Sequence, residues 1–308
     1  MPTRADVLVE LEASVTKYLD RHLTAAREWF PHQYVPWSRG RDFDGPLNGE
    51  HWRPEDSRLS PAARDALLVN LLTEDNLPSY HREIAVRWGR DGVWGTWLHR
   101  WTAEESRHAE VLRAYLHTSR AVDPVELERA RMRHVGQGYS SDLASNLHSL
   151  AYVMVQELAT RVAHRNAGSV CGDPVAEQIM TRIAADENLH MIFYRDLLSD
   201  AFEFTPDATV EALADVLCSF RMPGHGIPGF HVRAARIAAA GIYDTRIHHD
   251  HVVMPLLRFL NVMNRTGLGA KGEQARDRIG VHLEDLLHQA RRLDRLRPRL
   301  LLQGEGPA

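Results

Sequence analysis

Two short segments of the sequence place a glutamate and a histidine three residues apart. They are Glu105-Ser106-Arg107-His108 and Glu187-Asn188-Leu189-His190. On an α-helix, residues at this spacing lie on one face, so both side chains can bind the same metal ion. The spacing alone is weak evidence, because Asp285 and His288 show how easily a similar pair arises.

Two further glutamates make the pattern more specific. Glu74 precedes Glu105 by nearly the same interval as that by which Glu157 precedes Glu187. Each half of the sequence therefore predicts a helix with a single glutamate, a turn, and a second helix with Glu-x-x-His. A separation of about 30 residues fits two antiparallel helices joined by a short turn. Four helices that supply two single glutamates and two Glu-x-x-His pairs are the ligand set of di-iron carboxylate bundles.

Apolar residues surround these polar side chains. Leu98, Trp101 and Leu112 flank the first pair, and Met180 and Ile183 precede the second. Carboxylates on apolar faces are costly to bury unless a cation neutralises them, and two divalent ions balance four glutamates. Mixed carboxylate and imidazole ligands suit iron or manganese. The predicted metal ligands are Glu74, Glu105, His108, Glu157, Glu187 and His190.

Helical periodicity dominates the sequence, which predicts an all-α fold. The ligand pattern narrows this to a ferritin-like four-helix di-iron bundle with additional flanking helices. The predicted helices cover residues 4–28, 60–88, 91–118, 124–135, 143–168, 174–201, 206–220, 229–263 and 274–298. Pro78 cannot donate a hydrogen bond to the carbonyl of Glu74, so we expect helix 60–88 to be distorted there.

No linker is long or biased enough to divide the chain, so we predict a single domain over residues 1–308. An N-terminal arm covers residues 1–59, the di-iron bundle core residues 60–201, and additional helices residues 202–308. Within the arm, residues 31–59 are rich in Pro, Gly, Trp and His and should be irregular.

The composition limits the classes of function. Of 308 residues, 37 are Lys or Arg and 41 are Asp or Glu, and this net charge of −4 favours no nucleic-acid partner. Two cysteines allow at most one disulfide, and the N-terminus shows no signal peptide. No uncharged apolar run approaches the roughly 18 residues of a membrane span. We therefore expect a cytoplasmic protein without membrane insertion.

Histidine is unusually frequent, with 18 residues. His248, His249 and His251 surround Asp250, but they lack counterparts in the other half of the sequence, and we predict a surface cluster there. The same prediction applies to His99, His117, His148 and His164.

At the candidate ligands the sequence resembles the soluble acyl-acyl carrier protein (acyl-ACP) desaturases, the family of the plastid stearoyl enzyme, and especially their actinobacterial branch. The resemblance covers about residues 5–265. It is carried by residues 29–36 (WFPHQYVP), 73–80 (TEDNLPSY), 101–105 (WTAEE), 156–160 (QELAT) and 185–190 (ADENLH). Ser106 and Ala109 depart from the family, which commonly has Asn and Gly there, but neither residue would be a ligand.

The resemblance implies a role for each candidate residue. Glu105 and Glu187 would bridge two Fe²⁺ ions, Glu74 and Glu157 would be terminal ligands, and His108 and His190 would supply nitrogen. Thr160 would be a catalytic hydroxyl near the oxygen-binding face. Electron transfer would involve Trp29, Trp101 and Asp186, together with His190.

The resemblance also implies an activity and partners. With O₂ and two electrons from a ferredoxin-type donor, the enzyme would remove hydrogen from two adjacent methylenes of a saturated acyl chain on acyl carrier protein. A cis double bond and water would result, and the enzyme would be a homodimer.

Two other functions use the same ligand set. One is a ferritin-like di-iron oxygenase that hydroxylates or N-oxygenates a carrier-bound or small substrate. The other is a non-catalytic iron-binding protein, although the N-terminal arm, the extra helices and the matched tryptophans exceed what iron storage requires. Product analysis separates the first from a desaturase, and O₂ consumption with a reduced ferredoxin separates the second.

Overall fold

The computed structural model describes residues 7–222 and 224–304, with side chains described as far as residue 296. Within these ranges the chain forms α-helices and no β-strand, as predicted. The helices are α1 (Val7–Glu10), α2 (Glu12–Ala25), α3 (Pro61–Glu74), α4 (Leu77–Trp88), α5 (Gly92–Thr118), α6 (Pro124–Gln137), α7 (Asn146–Val170), α8 (Pro174–Phe204), α9 (Pro206–Ser219), α10 (Phe230–Ala239), α11 (Thr245–His248), α12 (Met254–Phe259) and α13 (Ala270–Gly304). Residues 4–6 of the first predicted helix, and both ends of the predicted domain, lie outside the described residues.

Side-chain caps fix the starts of three helices, each followed by a proline in the first turn. Ser60 accepts a hydrogen bond from the backbone of Ala63, and Asp123 and Asp173 each accept one at 2.8 Å from the residue two positions on. Such a cap stabilises a helix by about 1 kcal/mol. Proline costs nothing there, because the first turn leaves its N–H groups unpaired.

The predicted helix 60–88 is interrupted beside Glu74. Helix α3 ends at Glu74 and α4 begins at Leu77, consistent with the missing N–H of Pro78. Asp75 follows the end of α3, and its buried carboxylate accepts hydrogen bonds from Arg113 of α5 and Arg131 of α6. The ion pairs hold the interruption in place, so that Glu74 is a helix-terminal residue.

The prediction of one continuous helix over residues 229–263 was wrong. The segment contains α10, α11, a π-helical turn (His249–Val253) and α12. Gly241 adopts φ 72° between α10 and α11, a conformation that favours glycine, and Asp244 then caps α11. Pro255, in the first turn of α12, cannot donate to the preceding turn.

Four helical segments surround the candidate ligands: α3, α5, α7 and α8. Helices α7 and α8 pack along their lengths, α2 packs against α5 and α8, and α9 packs between α7 and α13. The buried apolar residues form two clusters, one including Trp97 and Phe193 and the other including Leu112 and Ile183. Helices α5 and α8 pass through both clusters, and their Glu-x-x-His pairs lie where the clusters meet.

The arm between α2 and α3 is irregular, as predicted. It contains three short 3₁₀ turns and an isolated bridge between Phe43 and Glu50. It contributes several residues to the interior, among them Trp29, which is buried against α5 and α8. In the described part of the chain, no helix has both the length and the apolar composition that crossing a membrane requires.

Candidate metal centre

The six predicted ligand side chains converge in the middle of the bundle, and all are buried. The end of α3 supplies Glu74, the middle of α5 supplies Glu105 and His108, α7 supplies Glu157, and α8 supplies Glu187 and His190. In each of two groups, the candidate ligand atoms lie within 4.8 Å of one another. One group is Glu74, Glu105, His108 and Glu187, and the other is Glu105, Glu157, Glu187 and His190. Two glutamates belong to both groups, which is the geometry of two adjacent ion positions with shared carboxylates.

In the first position, three carboxylates lie near the Nδ1 atom of His108. This atom lies 3.3 Å from Glu187 Oε1, 3.5 Å from Glu105 Oε2 and 3.8 Å from Glu74 Oε2. In the second position, the Nδ1 atom of His190 lies 2.8 Å from Glu105 Oε1. The two oxygens of Glu105 therefore face different histidines, as a bridging carboxylate requires.

The carboxylates are too close together to ionise independently. Burial and the charge of Glu187 raise the pKa values of Glu105 and Glu157. Burial acts in the same direction on Glu74 and Glu187, but the close approach of His108 and of other neighbours outweighs it and lowers their pKa values. Without a cation, the site must therefore hold protons among its acidic groups.

The two candidate histidine ligands hold protons as well. Burial alone would lower the pKa of His108 and of His190, but the surrounding carboxylates raise both values well above the ordinary 6.5. A bound metal ion needs neutral imidazole nitrogens, so metal binding would displace these protons.

Unpartnered buried atoms provide a test of whether metal ions fit here. Five atoms at the centre of the site have no hydrogen-bond partner of acceptable geometry in the described part of the chain. They are Glu105 Oε1, His108 Nδ1, Glu157 Oε2, Glu187 Oε1 and His190 Nδ1. Buried polar atoms without partners are costly, whereas each of these is a good donor atom to a divalent cation. The residues present therefore fit a pair of metal ions.

A carboxylate behind each histidine orients its ring. The Nε2 atom of His190 lies 2.9 Å from Glu104 Oε2, and that oxygen also lies 2.9 Å from His22 Nε2 of α2. Arg100, one turn earlier on α5, donates to the other oxygen of Glu104 at 2.6 Å. A carboxylate that contacts the ring nitrogen on the side away from the metal fixes the tautomer and direction of a ligating histidine.

His108 has the corresponding arrangement on the other helix. Its Nε2 atom lies 3.5 Å from Asp186 Oδ2, and Arg182, one turn earlier on α8, pairs with Asp186. Trp29 donates its indole N–H to the same oxygen at 2.7 Å. Burial would raise the pKa of Asp186, but these partners lower it to about 2.

The remaining predicted site residues also lie at the centre. Trp101 donates its indole N–H to Glu157 Oε1 at 3.1 Å. Thr160 donates its hydroxyl to Glu187 Oε2 at 2.9 Å, although the same hydroxyl also contacts backbone carbonyls of its own helix. The structure thus brings all ten predicted site residues together, and their individual roles remain predictions.

Comparison with known proteins decides the family. The family model described as fatty acid desaturase matches residues 3–300. The chain belongs to the fatty acid desaturase family. DesA1 of Mycobacterium tuberculosis, whose name describes it as an acyl-ACP desaturase, is 48% identical over 292 residues, covering 92% of this chain and 86% of DesA1. The family resemblance found in the sequence is confirmed.

A solved structure supports the fold of this desaturase. The X-ray structure of DesA2 from Mycobacterium tuberculosis, described as an acyl-ACP desaturase, matches with a TM-score of 0.71 at 29% identity. The match covers 84% of this chain and 96% of the DesA2 chain. The predicted all-α, ferritin-like fold is confirmed.

Sequence analysis missed Glu104, Arg100, Arg182 and His22 around the centre of the desaturase, and it named Asp186 only for electron transfer. Glu104 and Asp186 immediately precede Glu105 and Glu187, and Arg100 and Arg182 lie one helical turn before Glu104 and Asp186. Both pairs repeat at the same offset that relates the two Glu-x-x-His motifs, so the repeat itself was a usable signal. His22 carries no such signal, because it lies in a helix outside the repeat.

The surface prediction for the other histidines was partly wrong. His99 and His251 are exposed and His117 and His148 are half-buried, but His248 and His249 are buried at the start of the π-helical turn. His248 lies 2.8 Å from the hydroxyl of Tyr243, so a local partner satisfies its ring. His164 is buried beside Glu74, in the interior of the metal centre.

Proposed function

We propose that this desaturase introduces a cis double bond into a saturated fatty acyl chain carried on acyl carrier protein, with iron and O₂. The observation that carries the proposal is the buried box of four glutamates and two histidines in a chain of the fatty acid desaturase family. The names of the Mycobacterium tuberculosis relatives support an acyl-ACP substrate.

Two iron ions would be held by the six converging side chains. Glu105 and Glu187 would bridge the ions, because both belong to each ligand group. When bound, the metal supplies the O₂-dependent oxidising chemistry that removes hydrogen from an unactivated methylene. The protein supplies ligand orientation and a water-poor interior, and it would conduct electrons from the donor to the centre.

Electrons would reach the centre through the arm. Trp29, Asp186 and His108 form a continuous chain of polar contacts that ends at a candidate ligand. The indole of Trp29 is buried, whereas the neighbouring Phe30 is exposed, so the chain begins close to the surface. A ferredoxin-type donor that docks at this arm would need no further relay. This donor, the homodimer and the cytoplasmic location remain predictions from the sequence.

The acyl chain would enter at a narrow cavity beside the centre, whose volume of about 40 Å³ would have to widen to hold a chain of many methylenes. Its wall includes Trp101, which bonds to Glu157, and it is otherwise formed mainly by aromatic and aliphatic side chains such as Tyr80, Ile84 and Val153. Aromatic and aliphatic walls are typical of sites for apolar ligands, and the polar residues that also line this cavity are Glu83, Arg87, Ser141, Ser149 and Gln156.

A polar contact forms part of the wall of this cavity. Arg87 donates to the backbone oxygens of Ser141 and Leu143 at 2.9 Å, and Ser141 donates its hydroxyl to Glu83 at 3.1 Å. An apolar chain that passed this point would have to break these bonds, so we infer that the contact limits acyl length.

A second, more open cavity adjoins the first. It has a volume of about 470 Å³ and shares Tyr80, Tyr139 and Tyr152 with the narrow cavity. Arg221 and His225 are exposed at its edge. Arg221 would offer an acidic carrier protein one cation there, beside the exposed carboxylate of Asp142, because burial and Arg221 lower the pKa of His225.

The decisive experiment is product analysis. Iron-loaded enzyme, a reduced ferredoxin and O₂ are incubated with saturated acyl-ACPs of several chain lengths, and the released acyl groups are examined by mass spectrometry. Loss of two hydrogen atoms from the acyl chain is expected. Gain of an oxygen atom would instead indicate the oxygenase, and O₂ consumption without any acyl product would contradict both enzymes.

A further inference from the structure

His164 lies in the interior of the metal centre although neither ligand motif includes it. It is on α7, one turn after Thr160, and only 1% of its surface is exposed. Its Nε2 atom lies 3.1 Å from Glu74 Oε1 and 3.7 Å from Glu187 Oε1. The ring therefore faces the carboxylate that α3 contributes.

The two single glutamates receive different partners from the opposite half of the bundle. Glu157 of the second half accepts an indole N–H from Trp101 of the first half. Glu74 of the first half instead faces the imidazole of His164 from the second half. The sequence repeat does not account for the different partners of the two glutamates. At the offset that relates Glu74 to Glu157, the counterpart of His164 is also a histidine, His81, but the ring of His81 contacts a threonine of α5.

The carboxylate of Glu74 needs a hydrogen bond from another helix more than the carboxylate of Glu157 does. It is the last residue of α3, and it lines an open cavity of about 780 Å³ together with Arg113, so a rotated carboxylate could reach solvent. Glu157 lies in the middle of the unbroken helix α7. A side chain at a helix end has fewer neighbours to fix its rotamer, and a hydrogen bond from a buried donor compensates for them.

We propose that His164 is the positioning residue of Glu74 and sets the metal affinity of the position formed by Glu74 and His108. The proposal rests on the proposed metal centre. The Nε2–H group of His164 would donate to Glu74 Oε1 and leave Glu74 Oε2, 3.8 Å from His108 Nδ1, free to bind an ion. Loss of an outer hydrogen bond to a ligand commonly weakens metal binding about 10- to 100-fold.

Two polar substitutions separate hydrogen bonding from packing. Glutamine places an amide N–H near the position of Nε2, whereas asparagine places it near Nδ1, and both side chains are neutral. Apo forms of wild type, His164→Gln and His164→Asn are titrated with Co²⁺, with absorption spectra and calorimetry as the readouts. Trp101→Phe removes the donor to Glu157, and His148→Asn is a control on the same helix, outside the site.

The wild type should bind two equivalents of Co²⁺. In His164→Asn one equivalent should weaken about 10- to 100-fold, and His164→Gln should recover most of the loss. Trp101→Phe should weaken the other equivalent, and His148→Asn should weaken neither. Anomalous diffraction from His164→Asn crystals at one equivalent should place the ion in the position of Glu157 and His190.

Equal binding by His164→Asn and wild type would overturn the proposal, as would equal losses in the Gln and Asn variants. An ion found beside Glu74 in the Asn variant would overturn it too. A wild type that binds no Co²⁺ would instead contradict the proposed metal centre, so the two failures are distinguishable.

Discussion

The two halves of the bundle present the same ligand types from different backbones. In the first half Glu74 terminates a broken helix and is 7% exposed; in the second, Glu157 lies within the continuous helix α7 and is 1% exposed. The repeat thus determines which atoms surround the metal positions, while residues outside the repeat, such as Pro78, determine how rigidly each atom is held. The two metal positions should therefore have the same types of ligand but differ in how rigidly the protein holds those ligands.

The largest effect should come from removing a carboxylate that both positions share. Glu187→Ala should lose both equivalents of iron and all measurable desaturation, because each position loses a ligand and a buried negative charge. Glu74→Ala should lose one equivalent only. Elemental analysis of iron-loaded protein and acyl product analysis measure the two effects.

Asp285→Ala is the matched control, because Asp285 is exposed on α13 and reproduces the Glu-x-x-His spacing with His288. It should retain both metals and full activity. Retention of two irons by Glu187→Ala would show that the positions do not share this carboxylate.

Metal binding should depend strongly on pH. Without metal, the folded protein keeps protons on His108 and His190 that the unfolded chain releases near pH 6.5. The free energy of unfolding of the apo protein should therefore fall over the interval that begins near pH 6.5 and ends at the raised pKa values of the folded protein. Bound metal displaces these protons, so the rise in Tm on adding Co²⁺ should grow over the same interval.

Each proton contributes up to about 1.4 kcal/mol per pH unit, and calorimetry of apo and metal-loaded protein measures the difference. The carboxylates with lowered pKa values are ionised in both states above pH 7 and add no slope, whereas the protons that Glu105 and Glu157 retain in the folded protein add slope of the same sign. His108→Ala and His190→Ala should each reduce the apo slope. A Tm increment that stays constant with pH would contradict the assignment.

The third prediction concerns a side-chain hydroxyl that only the second half of the sequence repeat supplies. Thr160 donates to the shared carboxylate Glu187, whereas Leu77 stands at the equivalent position of the first half. Thr160→Val keeps the shape but removes the donor, and it should lower the rate of desaturation about 10-fold. Thr160→Ser should recover most of the rate.

Thr209→Val tests the same change at a fully buried threonine whose hydroxyl bonds to helix carbonyls and to Thr205. It should leave the rate unchanged. If Thr160→Val desaturated as fast as wild type, Thr160 would have no part in the reaction.

The sequence predicts the ligands well because they obey two periods at once, three positions along a helix and a nearly constant offset between the two halves of the chain. It predicts the helix starts at Ser60, Asp123 and Asp173 because capping is local chemistry. It does not predict the break around Gly241, since apolar periodicity continues on both sides of that glycine. It also fails at His164, whose importance arises from the tertiary contact with Glu74 and from nothing in its neighbours.

The smallest predicted effect tests the helix break itself. Pro78→Ala restores an N–H that could donate to the Glu74 carbonyl and extend α3 into α4. The ion pairs of Asp75 with Arg113 and Arg131 oppose that change, because they fix the turn from α5 and α6. We therefore expect a cost below about 1 kcal/mol, which corresponds to a loss of at most about 5-fold in Co²⁺ affinity.

That loss should fall on the position of Glu74 and spare the position of Glu157. The equivalent change Pro174→Ala, in the first turn of α8, should alter neither, because an N–H in that turn needs no helical partner. If Pro78→Ala weakened both metal positions equally, the backbone around Glu74 and the backbone around Glu157 would not act independently. A larger loss confined to Glu74 would mean that the missing N–H of proline, rather than the arginine pairs on Asp75, maintains the interruption.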